Sequence, residues 1–459
     1  MKFIARKEER KRLGKALAAK GQTASLVYGR RRVGKSELIK KCLTEVECIK
    51  VSYECKQTSE ANNAESLGRL ASEALGLPPL AFTGIEALLE FLFERAEREP
   101  LVLVLDEYPY LRACVKGLDS ILQSLIDRHR DTSQMKLVLC GSYADVMKSL
   151  LEEENPLFGR IDLTIDLQPM DYYDSSLFYP TFSPEDKVRL YSVFGGIPQY
   201  NRLIDPDLSV RENIIELITA PGSRLETEVS MYLGSEIRKI SNANEVFEAL
   251  SQGYARYGDL LAQSHVSSGP TMVDVLAKLA NMGLVRREAP INAPDNRRKA
   301  SYRIIDQLSL FYYRYVFRFS SQRAVLDQDV FYDRYVQDDL ESQHVPHQFE
   351  EVCRQYLLRQ NRRGALEVPF DDIGRYSYDD PAAHTNGEFD VVTWDPRGYA
   401  FYEAKFRGKP IDRHTINDEI KQVEATGLSC HTYGFFSRAG FSTEPKGNEI
   451  FYTLEDLYR

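Results

Sequence analysis

The residues Gly29 to Ser36 read GRRRVGKS, a set whose types and spacing suit the holding of a phosphate chain. In a G-x-x-x-x-G-K-[ST] loop the glycines let backbone N–H groups point inward at phosphate oxygens. The lysine reaches the β and γ phosphates, and the hydroxyl holds Mg²⁺. Gly29, Val33, Gly34, Lys35, Ser36 and Glu37 are the expected nucleotide contacts, with Ser36 a metal ligand. The loop lies between a strand-like run, Ser25 to Tyr28, and a helix-like run, Glu37 to Leu43. The helix N-terminus adds positive dipole for an anion. Downstream, LVLVLDEYPYL, Leu101 to Leu111, reads as a buried parallel strand ending in two carboxylates. Asp106 at such a strand end binds Mg²⁺ directly or through water, and Glu107 polarises the attacking water as hydrolytic base. A further buried strand, Lys136 to Tyr143, ends near Ser142, which is placed to sense a γ-phosphate or position water.

A second constellation lies near the C-terminus. His347 to Leu358 reads as an amphipathic helix carrying an early acid, Glu350. GEFDVVTWD, Gly387 to Asp395, and GYAFYEAKF, Gly398 to Phe406, read as two strands joined by a turn. Residues two apart on a strand share a face. Glu388 therefore projects with Asp390, and Glu403 with Lys405. Carboxylates and a lysine converging at a hairpin are what metal-dependent phosphodiester hydrolysis requires: oxygen ligands for Mg²⁺ or Mn²⁺, and a cation beside the attacked phosphate. Asp390 and Glu403 are the expected ligands of that ion.

These groups need a frame. Strand-like Glu47 to Tyr53 and helical patterns near Glu65 to Leu75 and Gly84 to Arg95 complete an α/β core with a parallel sheet, assigned to 1–204. A mixed helical stretch, 205–240, suits a lid or connector. Asn244 to Leu250, Tyr257 to Leu261 and Thr271 to Met282 are three short helical patterns, followed by two strand-like ends around a polar loop. That order is a winged helix-turn-helix, assigned to 241–322. In such a fold the third helix enters a major groove, while Arg297, Arg298 and Lys299 on the loop touch phosphate. The third helix, however, has Lys278 as its sole cation beside acidic Asp274, so protein docking stands as the alternative use. The aromatic run Leu310 to Phe319 reads as packing. A linker at 323–345 then leads to a C-terminal domain, 346–459.

Composition limits the rest. With 459 residues, 43% of them hydrophobic and 28% charged, the chain is ordinary globular material for about two to four domains. No apolar run reaches membrane-spanning length and the opening MKFIARKEERKRL lacks a signal-like apolar stretch, so the expected location is the cytoplasm. Seven scattered cysteines without a C-x-x-C pair give no disulfide framework or zinc site. The net charge of −9 leaves any nucleic-acid contact to local basic patches.

The phosphate-loop region resembles the additional-strand class of P-loop ATPases, and more narrowly an AAA+-like and STAND-like family found mainly in archaea and anaerobic bacteria. Phe3 to Leu13 resembles that family's F-x-x-R-x-x-E-x-x-x-L segment, which implies that Arg6 and Glu9 lie near adenine. PLFGR, Pro156 to Arg160, resembles its P-L-[YF]-G-R segment and makes Arg160 the γ-phosphate-sensing arginine. GGIPQY, Gly195 to Tyr200, resembles the turn whose proline, here Pro198, touches nucleotide. Arg30, Arg31 and Arg32 fill the variable loop positions, either adding phosphate affinity, reaching a neighbour, or simply being solvated.

The C-terminal segment is similar to the PD-(D/E)xK nuclease superfamily, with the restriction-endonuclease-like fold. Asp390 matches the first acid, Glu403 and Lys405 the E-x-K pair, Glu350 the helix acid, and Gln422 a polar position that some branches retain. It also resembles the domain of unknown function that accompanies these ATPases. Together the resemblances imply an ATP- and Mg²⁺-dependent ATPase coupled to DNA cleavage. DNA is the implied partner, along with a homo-oligomer and a protein docked on the winged helix. The alternative is a nucleotide switch that binds partners without cutting.

Overall fold

The structure, a computed structural model, describes residues 3–236, 242–380 and 385–459. It divides into two compact units, Met1–Pro169 and Met170–Arg459.

The first unit is a sheet covered by helices on both faces. Its elements run α1 Lys7–Leu17, β1 Thr23–Tyr28, α2 Lys35–Leu43, β2 Ile49–Glu54, α3 Glu60–Leu75, α4 Ile85–Arg95, β3 Leu101–Asp106, α5 Tyr108–Cys114, α6 Leu118–Arg128, β4 Met135–Gly141 and β5 Leu163–Asp166. Strand order is β2-β3-β4-β1-β5, with every pairing parallel. Central strands of such a sheet are buried on both sides, which explains their unbroken apolar sequence. The period of two then sorts them: Leu101, Leu103 and Leu105 enter one core, Val102 and Val104 the other. β3 ends at Asp106, at the carboxylates where the strand was expected to end, and Tyr108 begins α5 with Pro109 in its first turn. Proline cannot donate to a sheet ladder but fits a helix start.

The second unit begins at Met170, earlier than the boundary expected after 204. One large core runs from Tyr172 to Leu457 across the expected subdivisions at 240, 322 and 345, beside two smaller clusters in the C-terminal sheet, around Phe389 and Phe401 and around Ile416 and Phe435. Its helical part includes Val210–Ile214, closed by a Ser209/Glu212 capping box, and Arg224–Glu236 in the expected lid. Three helices follow, Ala243–Ser251, Tyr257–Gln263 and Gly269–Asn281. They lead to an antiparallel hairpin of β6 Val285–Glu288 and β7 Ser301–Ile304, which Arg256 joins by a bridge to Ser301.

The expected linker is instead helical, with Gln328–Tyr335 followed by a π-turn, Leu340–His344. Tyr332, Val336 and Leu340 recur every fourth residue and are buried, which gives that stretch a core-facing stripe. A long helix, Val345–Arg363, runs into a sheet of β8 Asp372–Asp380, β9 Thr385–Asp395, β10 Gly398–Lys405, β11 Cys430–Ser437 and β12 Glu449–Thr453. The order is β12-β11-β10-β9-β8, antiparallel from β8 to β10 and parallel from β10 to β12. The parallel step needs a crossover, which the helix Arg413–Glu424 supplies. Among the described residues no helix is long and apolar enough to cross a membrane.

Candidate functional site

The phosphate loop leaves the C-terminal end of β1 and turns into α2. Gly29 has φ 153° and Gly34 φ 99°, a backbone range that side chains rarely adopt. A Cβ on Gly29 would also collide with the Leu167 carbonyl oxygen. Lys35 starts α2 and is buried, its ammonium donating to the carbonyls of Gly29 at 2.8 Å and Arg30 at 3.1 Å and to Ser142 Oγ at 3.0 Å. Burial lowers its pKa, offset in part by the nearby carboxylates of Glu107 and Asp106. Ser36 Oγ donates to Asp106 Oδ2 at 2.6 Å. Glu107 accepts from Ser142 Oγ at 2.5 Å and from Ser142 N–H at 3.2 Å. Glu107 itself stands at φ 50°, a left-handed conformation that turns the chain from β3 into α5.

These contacts join the loop, β3 and β4 in one chain of polar groups, from Lys35 through Ser142 to Glu107. Ser36 and Asp106 offer adjoining oxygens of the kind Mg²⁺ accepts beside a phosphate, so the residues present fit a metal–nucleotide. Val33 is buried, and its carbonyl accepts from Arg6 at 3.3 Å; the same guanidinium reaches the Gln168 carbonyl at 2.5 Å and Glu9 at 3.1 Å. Arg6 thus braces the loop from behind. Glu37 lies in the first turn of α2 and pairs with Lys40 at 3.8 Å.

Arg160 is placed differently. It forms a forked pair with Asp127 of α6, at 2.6 to 3.0 Å, and donates to the carbonyls of Pro156 and Phe158. None of these hydrogen bonds reaches the phosphate loop. Pro198 lies in the second unit, opening a short helix, Pro198–Asn201.

The second constellation is assembled from the long helix, β9, β10 and the crossover helix. Burial, with the charges of Glu350, Glu388 and Glu403, pushes the Asp390 carboxyl up to about 7. Glu403 is raised too, chiefly by burial. Lys405 lies between Glu403 and Glu419, 2.8 Å from the latter; burial opposes its charge, but the two carboxylates outweigh it and raise its pKa. Glu350 accepts from His347 at 3.1 Å, and Gln422 donates to the Tyr378 hydroxyl at 2.6 Å. Glu388 is neutralised by Arg375 at 2.7 Å. Among the described residues, no group of three or more His, Cys, Asp or Glu side chains is close enough to hold one metal ion as it stands.

Residues 3–201 match the family model of an ATPase domain predominantly from Archaea, and residues 312–421 match that of archaeal and bacterial proteins of unknown function. ATP binding and hydrolysis are the activity that the first match supports. Over 99% of its length the chain is 25% identical to the whole of an uncharacterized protein, MJECL04, of Methanocaldococcus jannaschii. Among solved structures, the Walker-type ATPase PABY2304 of Pyrococcus abyssi superposes with TM-score 0.51 at 19% identity, over 68% of this chain and 96% of that one. That likeness shows the fold. The ORC2 protein of Aeropyrum pernix, in ADPNP–ADP complexes, gives TM-score 0.48 at 14% identity, over 67% and 93% of the two chains.

Beside the ATPase domain's loop, sequence reasoning missed Tyr110 and Tyr143, whose rings meet edge to face with Arg31 above Tyr143. Near the acids it missed Glu419, His347 and Arg375. Glu419 is three residues before Gln422 on the crossover helix, and helical spacing from that residue was the available signal.

Proposed function

We propose that the chain couples an ATP-hydrolysing P-loop domain to Mg²⁺-dependent cleavage of DNA by its C-terminal domain. The observation that carries the cleavage reading is the strain among the acids: Asp390 is held near neutrality by burial beside Glu350, Glu388 and Glu403, with Lys405 close by. Asp390 and Glu403 would hold Mg²⁺ or Mn²⁺, Glu350 would complete the acid set, and Lys405 would orient water or steady charge on the phosphate. The helix, three-stranded meander, crossover helix and parallel strand that carry them have the order of a PD-(D/E)xK core, which supports the same reading. The three helices and hairpin at 243–304 are read as a winged helix that meets DNA.

In the ATPase domain, Asp106 and Ser36 would hold Mg²⁺, Glu107 would act as base, and Ser142 would report the γ-phosphate. Arg160 would reach a γ-phosphate only after leaving Asp127. Arg6 and Pro198 complete the proposed nucleotide set. A nucleotide switch that docks partners without cutting is the second reading, favoured by the absence of a ready metal cluster among the described residues. Incubating the full chain with linear, hairpin, branched and supercoiled DNA, with and without ATP and with Mg²⁺ or Mn²⁺, separates the two. Cleavage of any form that Asp390→Ala abolishes supports the first; intact DNA throughout, with nucleotide turnover retained, replaces it with the second.

A further inference from the structure

The β6–β7 hairpin is fastened to the acid site of the same unit by a web of ion pairs. Glu288 and Ser301 face each other across the hairpin, as do Arg286 and Arg303. Arg303 pairs with Glu288 at 3.0 Å and with Glu351, the neighbour of Glu350. Arg354 lies 3.7 Å from Glu288 and donates to the carbonyl of Asp390 at 3.3 Å. Arg375 pairs with Glu388, two residues before Asp390, at 2.7 Å, and also hydrogen-bonds Ser301 and approaches Glu288 at 3.8 Å. Three arginines therefore connect the hairpin to the backbone of Asp390 itself, to Glu351 beside Glu350, and to Glu388 two residues before Asp390.

Backbone pairing reinforces the web. The β8–β9 register shifts between Gly374 and Tyr376, and the Arg375 carbonyl accepts from Ile291 N–H at 2.7 Å. Asn292 exchanges two hydrogen bonds with the Ser377 backbone, at 2.8 and 3.1 Å. The hairpin loop thus continues the edge of the C-terminal sheet.

The hairpin's outer cations contrast with this. Arg287, Arg297 and Arg298 are exposed and have no side-chain partner among the described residues, in a chain of net charge −9. Arg298 is three residues from Ser301, so their Cα atoms lie within about 11 Å. The helix Gly269–Asn281, which would read bases in a winged helix, spends its one cation, Lys278, on Asp274 at 2.7 Å. Unpaired arginines on a hairpin beside a neutralised helix suit the phosphate backbone, not base edges.

We propose that the hairpin is the substrate arm of the C-terminal site. Arg287, Arg297 and Arg298 hold the backbone of duplex DNA without reading sequence, and the ion-pair web fixes that backbone relative to Asp390, Glu403 and Lys405. The inference rests on the nuclease reading for its cutting step, but its binding step stands alone. In the arm, Arg375 is a positioning residue.

The test uses the full chain and a fluorescein-labelled, random-sequence duplex, with Ca²⁺ in place of Mg²⁺ for binding and Mg²⁺ for cutting. Reversing Arg287, Arg297 and Arg298 to Glu should lower the slope of log affinity against log salt by about 3, one per lost phosphate contact. Arg375→Gln should leave that slope and the KM for duplex unchanged while kcat falls about tenfold or more, because the held backbone is no longer aligned. If Arg375→Gln does not fold, Ser301→Ala removes one partner of the same bridge and is read in the same way. An unchanged salt slope in the triple reversal overturns the arm. Wild-type kcat in the folded Arg375→Gln or Ser301→Ala protein overturns the positioning. If the wild type binds with the expected slope and cuts nothing, the nuclease reading fails while the DNA-holding arm stands.

Discussion

At the phosphate loop the functional side chains already have partners: Lys35 with two carbonyls and Ser142, Glu107 with Ser142, Ser36 with Asp106. At the C-terminal acids Glu350, Glu388 and Glu403 have cationic partners as well, but Asp390 is pushed up to about 7 by burial and by those three neighbouring carboxylates. The first site stands closed on itself and must exchange internal hydrogen bonds for phosphate oxygens. The second resists ionisation of Asp390, a resistance that a cation would relieve. This difference predicts which ligand each site cannot do without. Nucleotide binding should depend on one side chain, whereas cutting should depend on the metal.

The largest expected effect is at the second site. On the proposed reading Asp390→Ala should lower DNA cleavage by roughly 10⁴-fold, because the lost ligand would carry a metal that stabilises charge by several kcal/mol. ATP turnover, measured on the same preparation, should remain near wild type. A parallel fall in both activities would show that the two sites are not chemically separate. Next in size, Glu107→Gln should keep nucleotide and reduce hydrolysis by roughly 10²- to 10³-fold, as an amide cannot accept the water's proton. Turnover equal to wild type in a phosphate-release assay would assign the base elsewhere. Lys35→Ala should weaken ATP binding by roughly a hundredfold, the loss of one charged hydrogen-bonding partner worth up to about 3 kcal/mol. Calorimetry that returns wild-type affinity would remove Lys35 from the phosphates.

How far the sequence could be read follows the same divide. The loop site is carried by contiguous residues between Gly29 and Ser36, and by strand ends whose apolar runs leave little choice of face, so its elements were legible. Arg160 was not, because a short segment does not say whether its guanidinium meets a phosphate or Asp127 of α6. The acids on β9 and β10 were legible through the period of two, and the hairpin between them through its turn. Arg303, Arg354 and Arg375 were invisible as a group, being distributed over β7, the long helix and β8. The linker reading failed because Tyr332, Val336 and Leu340 are spaced four apart among charged residues, a stripe too sparse to stand out by composition.

The smallest effect tests the comparison most directly, through pH and stability without metal. Asp390 has a folded pKa of about 7, above its ordinary value of 3.8, so an unfolded chain sheds that proton first as pH rises. Its stabilising contribution is complete below about pH 4 and is lost as pH climbs towards 7. Two buried groups of the same unit act in the opposite direction. Glu351 is held down to about 2, where Arg303 and Arg354 outweigh its burial, and His344 down to about 4 by burial. Stability from Glu351 is lost as pH falls from about 4.5 towards 2, and that from His344 as pH falls from about 6.5 towards 4. Because Asp390→Asn leaves those two groups in place, the difference in melting temperature between wild type and variant, taken in EDTA, reports Asp390 together with His347, whose raised pKa the Asp390 charge helps to support. Wild type should lose ground to Asp390→Asn from pH 5 to pH 8, by roughly 2 °C or more for each kcal/mol involved. Mg²⁺ should then raise the wild-type midpoint at pH 8 more than at pH 5, and leave the variant's nearly unmoved. A difference curve flat across that range would mean that Asp390 ionises freely, and the contrast between a satisfied site and a strained one would fall with it.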